Sequence, residues 1–454
     1  MSFELDSFHG RPCDFTRVCF EHESVSVVCP LFRPTGTRCR RRETRMEGRN
    51  IGLDVHRDFC EVAVCQAGKV AHWPRVSARP GPVKEFAEQL GPDDRVALEA
   101  TGNALAIARI IRPHVKEVVI VNTRQLHAIA ASKQKTDRHD PRTLAQLLAA
   151  GMLEHSWLPD DGTRAARRRV GRRANLVVAR AKCKNEVLAV LHRNLKHRPP
   201  MTDAFGVAGR EWLAGQLLPA DERDTIDAAL RQIDFLTEEI TTIERDLAQF
   251  VLASPDARRL LTVPGVGMIT AAVFLAQIGT APGDINRFTS PRRLVGYLGL
   301  DPRVRQSGNS PGYTGNISKE GAAAVRHVLV ESALTAIRSP GPLRAFYQRI
   351  RARRGHPIAI VATARKMAKL FWHLLVREQD YAYALPTPLA KKTRTIELKA
   401  GHPSRRPGGP HVPVNREQRR AIERQIAQQA QAAYERTIAD WQRAGTTRGA
   451  PAQT

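Results

Sequence analysis

The amino-acid sequence predicts an α/β domain near the N-terminus, followed by a mainly α-helical region that includes a coiled coil. Between residues 50 and 121, short apolar runs bounded by turn residues alternate with amphipathic segments, as strands and helices do. Beyond residue 160, apolar residues recur at helical or heptad spacing. The 454 residues carry 71 Lys and Arg against 45 Asp and Glu, a formal net charge of +26 that favours nucleic acid as a partner.

The first domain is predicted to begin with three strands joined by turns: NIGLDV, CEVAVCQ and VAHWPRV. A helix (PVKEFAEQL), a strand (RVALEA), a helix ending near Pro113 (ALAIARIIRPHV) and a strand (EVVIVN) follow. RQLHAIAAS is predicted to be helical, and DPRTLAQLLAAGML to be a helix with Asp140 as its N-cap and Pro141 at its first position. Three hairpin strands followed by alternating helices and strands are what a ribonuclease-H-like α/β sheet requires.

Four carboxylates mark this domain. Asp54 in GLDVHRD and Glu99 in ALEATGN end predicted strands, and Asp137 and Asp140 in KTDRHD precede a helix. Because hard divalent cations prefer carboxylate oxygen, these four groups are best explained as magnesium ligands. Taken singly, Asp54 and Asp140 could be caps, and Glu99 could be a surface acid. For the neighbouring His56, a surface or supporting role is favoured over direct ligation.

A very basic helix and a heptad repeat occupy residues 161–252. Between residues 163 and 196 the only acidic residue is Glu186, so binding to a nucleic-acid backbone is favoured over a solvated helix face. The predicted contacts are Arg167, Arg168, Arg169, Arg172 and Arg173. The repeat of Ile226, Ile233, Ile240 and Leu247 predicts either a coiled coil or an intramolecular hairpin with the basic helix, and the sequence leaves both open.

The segment VPGVG, at residues 263–267, lies between two apolar helices and resembles a helix-hairpin-helix turn. Gly265 and Gly267 would let the backbone approach a phosphate closely, and the amides at the start of the next helix would bind it. A plain packing turn between two helices is the alternative.

A basic, Gly-rich loop follows, and it contains Ser307. The predicted phosphodiester contacts in and around this loop are Arg303, Arg305 and Lys319. Considered alone, Ser307 is better explained as a turn cap than as a nucleophile, because Ser before Gly commonly has that role. Ser318, at the start of the next predicted helix, is assigned a structural role.

Together these motifs resemble those of the DEDD-type insertion-sequence transposases, the insertion sequence one-hundred-and-ten family. GLDVHRD, LEATGN and KTDRHD are similar to the family's RuvC-like domain. VPGVGMITA, RRLVGYLGLDPR and the pattern running from the SG pair through ISK to Arg326 are similar to its second transposase domain. The resemblance implies that Asp54, Glu99, Asp137 and Asp140 are catalytic ligands of Mg²⁺ and that Ser307 is the catalytic serine.

The resemblance also implies partners. Members of the family use a structured RNA, encoded by the element, that pairs with donor and target DNA. They act as homo-oligomers, here a dimer or tetramer, in which the RuvC-like domain of one subunit completes a site with the serine domain of another.

The predicted domains follow from these patterns. They are a disordered leader or upstream-start artefact (1–48), the RuvC-like DEDD catalytic domain (49–160), the basic helix and coiled coil (161–252), the transposase domain with the catalytic serine (253–384) and a basic tail with a peripheral helix (385–454). Seven cysteines match no common zinc spacing, so we expect reduced thiols and a cytoplasmic, nucleoid-associated bacterial protein. No apolar run approaches the length of a membrane span, so no membrane partner is expected.

The predicted function is that of a DNA transposase, a recombinase that cuts and rejoins strands under the guidance of an RNA. Two alternatives stay open. One is a metal-dependent Holliday-junction-type nuclease that forms no covalent intermediate. The other is a catalytically silent nucleic-acid-binding protein that retains the fold.

Overall fold

The computed structural model describes residues 48–121, 139–153, 157–306, 313–404 and 416–446. They fall in two compact units, divided between Ser156 and Trp157. The predictions for the leader, for the helix RQLHAIAAS, for Asp137 and for Ser307 lie outside the described residues. Within the described ranges, no helix combines the length and the apolar character needed to cross a lipid bilayer.

A mixed β-sheet forms the centre of the first unit. Its strands are β1 (Asn50–Val55), β2 (Phe59–Gln66), β3 (Lys69–Ser77), β4 (Arg95–Glu99) and β5 (Glu117–Val121). Their order is β3-β2-β1-β4-β5, with β1, β2 and β3 antiparallel and β1, β4 and β5 parallel. Ala67 and Gly68 join β2 to β3 with positive φ angles of 49° and 77°, as a type I′ turn requires. The predicted α/β sheet is therefore present.

Helices cover both faces of this sheet: α1 (Pro80–Glu88), α2 (Ala104–Ile111) and α3 (His139–Ala149). Side chains alternate between faces along a strand, so Ile51 and Leu53 pack with α1 and α2. Ala97 packs on the opposite face, with Leu144 of α3. Helix α3 begins at His139, two residues before the predicted start, which is within the usual variation of helix ends.

Two long antiparallel helices open the second unit. They are α4 (Asp161–Arg193) and α6 (Ala220–Ala253), with the short α5 (Val207–Ala214) between them. The heptad residues Ile226, Ile233, Ile240 and Leu247 are all buried. Arg173 donates to Glu244 near one end of the pair, and Arg193 pairs with Glu222 near the other. Of the two open alternatives, the chain contains the intramolecular hairpin.

The rest of the second unit is mainly helical. Its elements are α7 (Pro255–Leu261), α8 (Met268–Ile278), α9 (Pro291–Tyr297), β6 (Pro302–Arg305), β7 (Tyr313–Ile317), α10 (Ala323–Ala336), α11 (Pro342–Arg354) and α12 (His356–Val376). Helix α8 is almost wholly apolar and lies in the core, where Phe274 meets Phe371 edge-on with ring centroids 5.0 Å apart. The predicted loop between α9 and α10 contains the antiparallel pair β6 and β7.

The described part of the C-terminal region contains two helices, α13 (Pro386–Lys399) and α14 (Arg416–Thr446). The sequence predicted the second but missed the first, since its Thr and Lys residues obscure the apolar pattern. Lys392 of α13 donates its Nζ to the carbonyl oxygens of Leu261 (2.9 Å) and Val263 (3.1 Å). Burial lowers the pKa of Lys392 to about 8. Helix α13 is therefore built into the core of the unit.

Candidate active site

Two of the four predicted metal ligands lie side by side at one edge of the sheet. Leu53 pairs with Leu98 across the parallel strands β1 and β4, so Asp54 and Glu99 are neighbours on one face. Both residues stand near the carboxyl ends of their strands. Asp54 is only 6% exposed, whereas Glu99 is half-buried. Adjacent parallel strands thus bring the first two acids of the sequence motif together.

Two neighbouring side chains, His56 and Cys60, interact with Asp54. His56 Nε2 lies 3.2 Å from Asp54 Oδ2, which is ion-pair distance but outside hydrogen-bond geometry. Burial, and then the charge of Asp54, raise the pKa of Cys60 to about 11. His56 is therefore placed to support Asp54, the role that the sequence favoured for it.

A third acid, Glu61, shares this face of the sheet because it pairs directly with Asp54 across β1 and β2. Arg75 of β3 donates its Nε to Glu61 Oε1 at 2.9 Å. The guanidinium of Arg75 also lies 4.0 Å from the ring centroid of Phe59. The sequence alone did not indicate Glu61, because its position opposite Asp54 depends on strand register.

Asn103 links the two motifs that contain Asp54 and Glu99. Its Nδ2 donates to the carbonyl oxygen of His56 at 2.9 Å, which joins the LEATGN segment to the loop after GLDV. Thr101 Oγ1 bonds Asn103 Oδ1 at 3.2 Å. The sequence contained one signal for this role, namely the Asn that ends the quoted motif. Asn103 therefore fixes the distance between the two acidic segments.

Helix α3 crosses the same face of the sheet in very close contact. A Cβ atom on Gly52 would lie 2.0 Å from the carbonyl oxygen of Pro141, so only glycine fits there. At the other end of the sheet, Arg95 Nη1 donates to the carbonyl oxygen of Leu148 at 3.2 Å. Helix α3 therefore begins at the edge that carries Asp54. The backbone of Asp140, in the first turn, lies at this edge.

The described residues contain no cluster of three or more His, Cys, Asp or Glu side chains that could hold a metal ion. Asp137 and the side chain of Asp140 lie outside the description. Asp54 and Glu99 are hard oxygen donors on adjacent strands, the donor chemistry that Mg²⁺ prefers. This pair fits one side of a magnesium site.

Ser307 belongs to the segment 307–312 that joins β6 to β7. The base of this β-hairpin is firmly held. Ser318 Oγ donates to Asp301 Oδ1 at 2.8 Å, and its backbone N–H donates to the Asp301 carbonyl oxygen at 2.8 Å. Arg303 is exposed and donates its Nη2 to the carbonyl oxygen of Ser318 at 3.2 Å. Ser318 has a structural role, as predicted, but it does not start a helix, because it follows β7 and α10 begins only at Ala323. The exposed Lys319 beside it takes a positive φ of 56°.

Gly265 has a packing function, as in the alternative that the sequence left open, although its partner in α10 was not predicted. Its φ is +81°, and a Cβ atom there would lie 2.2 Å from the carbonyl oxygen of Ser332 in α10. This glycine lets α10 approach the turn between α7 and α8. Gly267, at the N-cap of α8, faces open space. Of the two predicted phosphate-binding glycines, Gly267 alone is open at its Cβ position.

The basic residues of α4 divide into two groups. Arg167 and Arg173 are half-buried: Arg167 donates its Nε to the carbonyl oxygen of Ala276 at 2.8 Å, and Arg173 bonds Glu244. Arg168, Arg169 and Arg172 are exposed. Arg169 and Arg172 lie near acids of α6 at 3.5 Å and 3.9 Å. Four of the five predicted phosphate contacts therefore have internal partners, two through hydrogen bonds of half-buried side chains and two through exposed ion pairs.

Comparisons with known proteins agree with this arrangement. A DEDD transposase family named for IS110 matches residues 51–194, and the family described as "Transposase IS116/IS110/IS902 family" matches residues 257–348. The transposase for insertion sequence element IS1111A of Coxiella burnetii is 25% identical over 355 residues, covering 75% of this chain and 93% of the relative. Protein y4qE of Sinorhizobium fredii is 28% identical over 291 residues, covering 63% of this chain and 71% of the relative. The chain is thus a DNA transposase that belongs to the IS110 family of DEDD transposases.

Proposed function

We propose that this transposase cuts and rejoins DNA with a magnesium site formed by Asp54, Glu99, Asp137 and Asp140, and with Ser307 as the nucleophile. The observation that carries the proposal is the meeting of Asp54, Glu99 and the start of α3 at one edge of the sheet. The chain order of these acids also matches the family motif. Arg303, Arg305, Lys319 and Gly267 are the proposed contacts to DNA near the serine.

The acidic residues and the serine have separate tasks. When bound, Mg²⁺ would neutralise charge on the phosphoryl oxygens and on the leaving oxygen. Asp54 and Glu99 would hold it from adjacent strands, and His56 would steady Asp54 through their 3.2 Å contact. The bond between Asn103 and the His56 carbonyl would keep the two strand ends in register. This pre-organisation limits the reorganisation needed at the moment of reaction.

Ser307 would give the reaction its covalent step. Its Oγ attacks the phosphorus and loses its proton, while the bond from phosphorus to the leaving strand oxygen breaks and that oxygen gains a proton. The product is a phosphoserine diester and a free hydroxyl end. Attack by another strand's hydroxyl on this diester releases the serine and reseals DNA, so no phosphodiester energy is lost to water.

Guidance by an element-encoded RNA and assembly as a dimer or tetramer complete the proposal. The net charge of +26 supports binding of more than one polyanionic strand. Arg168, Arg169 and Arg172 are the exposed members of the proposed backbone-binding set on α4. Arg167 and Arg173, with their internal partners, would contribute mainly through the charge they add to this surface.

Covalent trapping tests the nucleophile. Protein, element-end DNA, the element's non-coding RNA and Mg²⁺ are mixed, denatured and resolved for protein-linked DNA. We expect an adduct with the natural protein and with Ser310→Ala, and none with Ser307→Ala. The adduct is also expected to require both RNA and Mg²⁺. Strand cleavage that persists in Ser307→Ala without an adduct would assign the chain to hydrolytic junction nucleases instead.

A further inference from the structure

A cavity of about 680 Å³ lies beside the last turns of α4 and the segment that follows it, residues 194–206. We call it the helical-hairpin pocket. Its lining includes Lys184, His192, Lys196, His197, Arg198 and Phe205. Residues 195–256 lie between the two family-matched regions, so the lining residues from Lys196 to Phe205 are outside both.

The cations of this pocket differ from several others on the helical hairpin. Acids of the same unit neutralise Arg173 (Glu244), Arg193 (Glu222) and Arg210 (Asp234). Within the described part of the chain, none of the five basic residues that line the pocket forms an ion pair with a carboxylate. The acid in the wall, Asp203, accepts from the backbone N–H of Phe205 at 3.0 Å. The lining therefore carries more positive than negative charge, with Lys184, Lys196 and Arg198 against Asp203.

The pocket also has an apolar surface suited to a flat ring. Leu188 is 41% exposed on α4, although it lines the cavity. Phe205 also lines the cavity, and Lys184 Nζ lies 4.7 Å from its ring centroid. An apolar wall bordered by unpaired cations matches a nucleotide, whose base contacts apolar or aromatic groups while its phosphate contacts Lys and Arg.

We propose that the helical-hairpin pocket binds a nucleotide within a single-stranded segment of nucleic acid. The strand's phosphates would contact Lys184, Lys196 and Arg198, and one base would lie against Leu188 and Phe205. The inference rests on the nucleic-acid activity of the family but not on the proposed catalytic residues. A strand anchored here would be held by a part of the chain separate from the acidic residues and the serine.

Fluorescence anisotropy with labelled oligonucleotides of about 12 nucleotides tests the proposal, since binding sites for single-stranded nucleic acid span roughly 4–16 nucleotides. The probes are oligo-uridine RNA and oligo-thymidine DNA, with EDTA present so that catalysis has no part in the readout. The triple variant Lys184→Gln, Lys196→Gln, Arg198→Gln is compared with a charge-matched control on α14, Arg420→Gln, Arg424→Gln, Arg436→Gln. Melting curves by circular dichroism establish that both variants fold.

At salt concentrations of about 50 to 200 mM, we expect the pocket variant to bind at least one probe about 10-fold more weakly. The slope of log affinity against log salt concentration should be smaller in magnitude by about 2, because three phosphate contacts are lost. The control should change affinity less than about 2-fold. Preference for the RNA or the DNA probe then identifies the strand. Photocrosslinking of a 4-thiouridine probe should label residues 184–205. The proposal would be overturned if the two variants lost affinity for the probes equally, or if this crosslink were absent. It would also be overturned if the protein bound an oligo-glutamate peptide of the same charge as tightly as the probes.

Discussion

Replacing Asp54 with Asn is expected to reduce DNA strand cleavage by at least about 1,000-fold while leaving the protein folded, because loss of a metal ligand removes several kcal/mol of transition-state stabilisation. Asn has nearly the same shape, and Asp54 is only 6% exposed, so the packing around it is kept. The measurement is the single-turnover cleavage rate of element-end DNA at saturating Mg²⁺. Circular dichroism melting reports on folding in parallel.

Glu61→Gln is the matched control for this prediction. Glu61 lies directly opposite Asp54 on the same face of the sheet, and its carboxylate bonds Arg75. Removing its charge changes the local electrostatics by a similar amount but takes no proposed ligand away. We expect cleavage within about 10-fold of the natural rate, in the range of a supporting residue. If Glu61→Gln were the more damaging of the two, the assignment of Asp54 as a ligand would be wrong.

Gly299→Ala is expected to destabilise the second unit by about 2–4 kcal/mol, since it combines a left-handed backbone conformation with a steric clash. Gly299 has a φ of +66°, and a Cβ atom there would lie 1.8 Å from the carbonyl oxygen of Glu320. The same glycine accepts from the backbone N–H of Lys319 at 3.2 Å. Urea unfolding measures the free energy. The covalent-trapping assay should show a reduced adduct, because the base of the β-hairpin that carries Ser307 is displaced.

Gly296→Ala, three residues earlier in α9, provides the comparison. No atom lies within 4 Å of the position that its Cβ would occupy, and it sits in a helix. We expect this change to be neutral or to stabilise by about 0.5–1 kcal/mol, since alanine favours helix. Equal destabilisation by the two substitutions would show that glycine content alone, and not the contact with Glu320, explains the result.

Much of the first unit could be predicted from local pattern. The strand segments were visible as apolar runs bounded by turn residues, and Asp54 and Glu99 stand at strand ends where chemistry is commonly found. Their adjacency follows from the parallel pairing of β1 with β4. The path of α3 was not visible, because it depends on the contact of Gly52 with Pro141, which is distant in sequence.

The second unit shows why charge and glycine patterns alone are insufficient. Arg167 is part of a basic run, yet it donates to a backbone carbonyl of α8. Gly265 has the sequence signature of a phosphate-binding turn, yet α10 packs against it. In both cases the partner is distant in the chain: Ala276 lies 109 residues after Arg167, and Ser332 lies 67 residues after Gly265. Local pattern therefore singled out these two residues but not their partners.

The contact of Lys392 with the end of α7 has a consequence for synthesis of the protein. The carbonyl oxygens of Leu261 and Val263 precede their donor by 131 and 129 residues. At about 5–20 residues per second, translation would take roughly 6–26 seconds to supply it. During this interval the first unit can fold completely, while the carbonyl oxygens of the turn before α8 still lack Lys392 as their hydrogen-bond donor. Limited proteolysis of nascent chains arrested before and after residue 392 should show protection of this turn only in the longer chains; equal protection would mean that the turn folds without the tail.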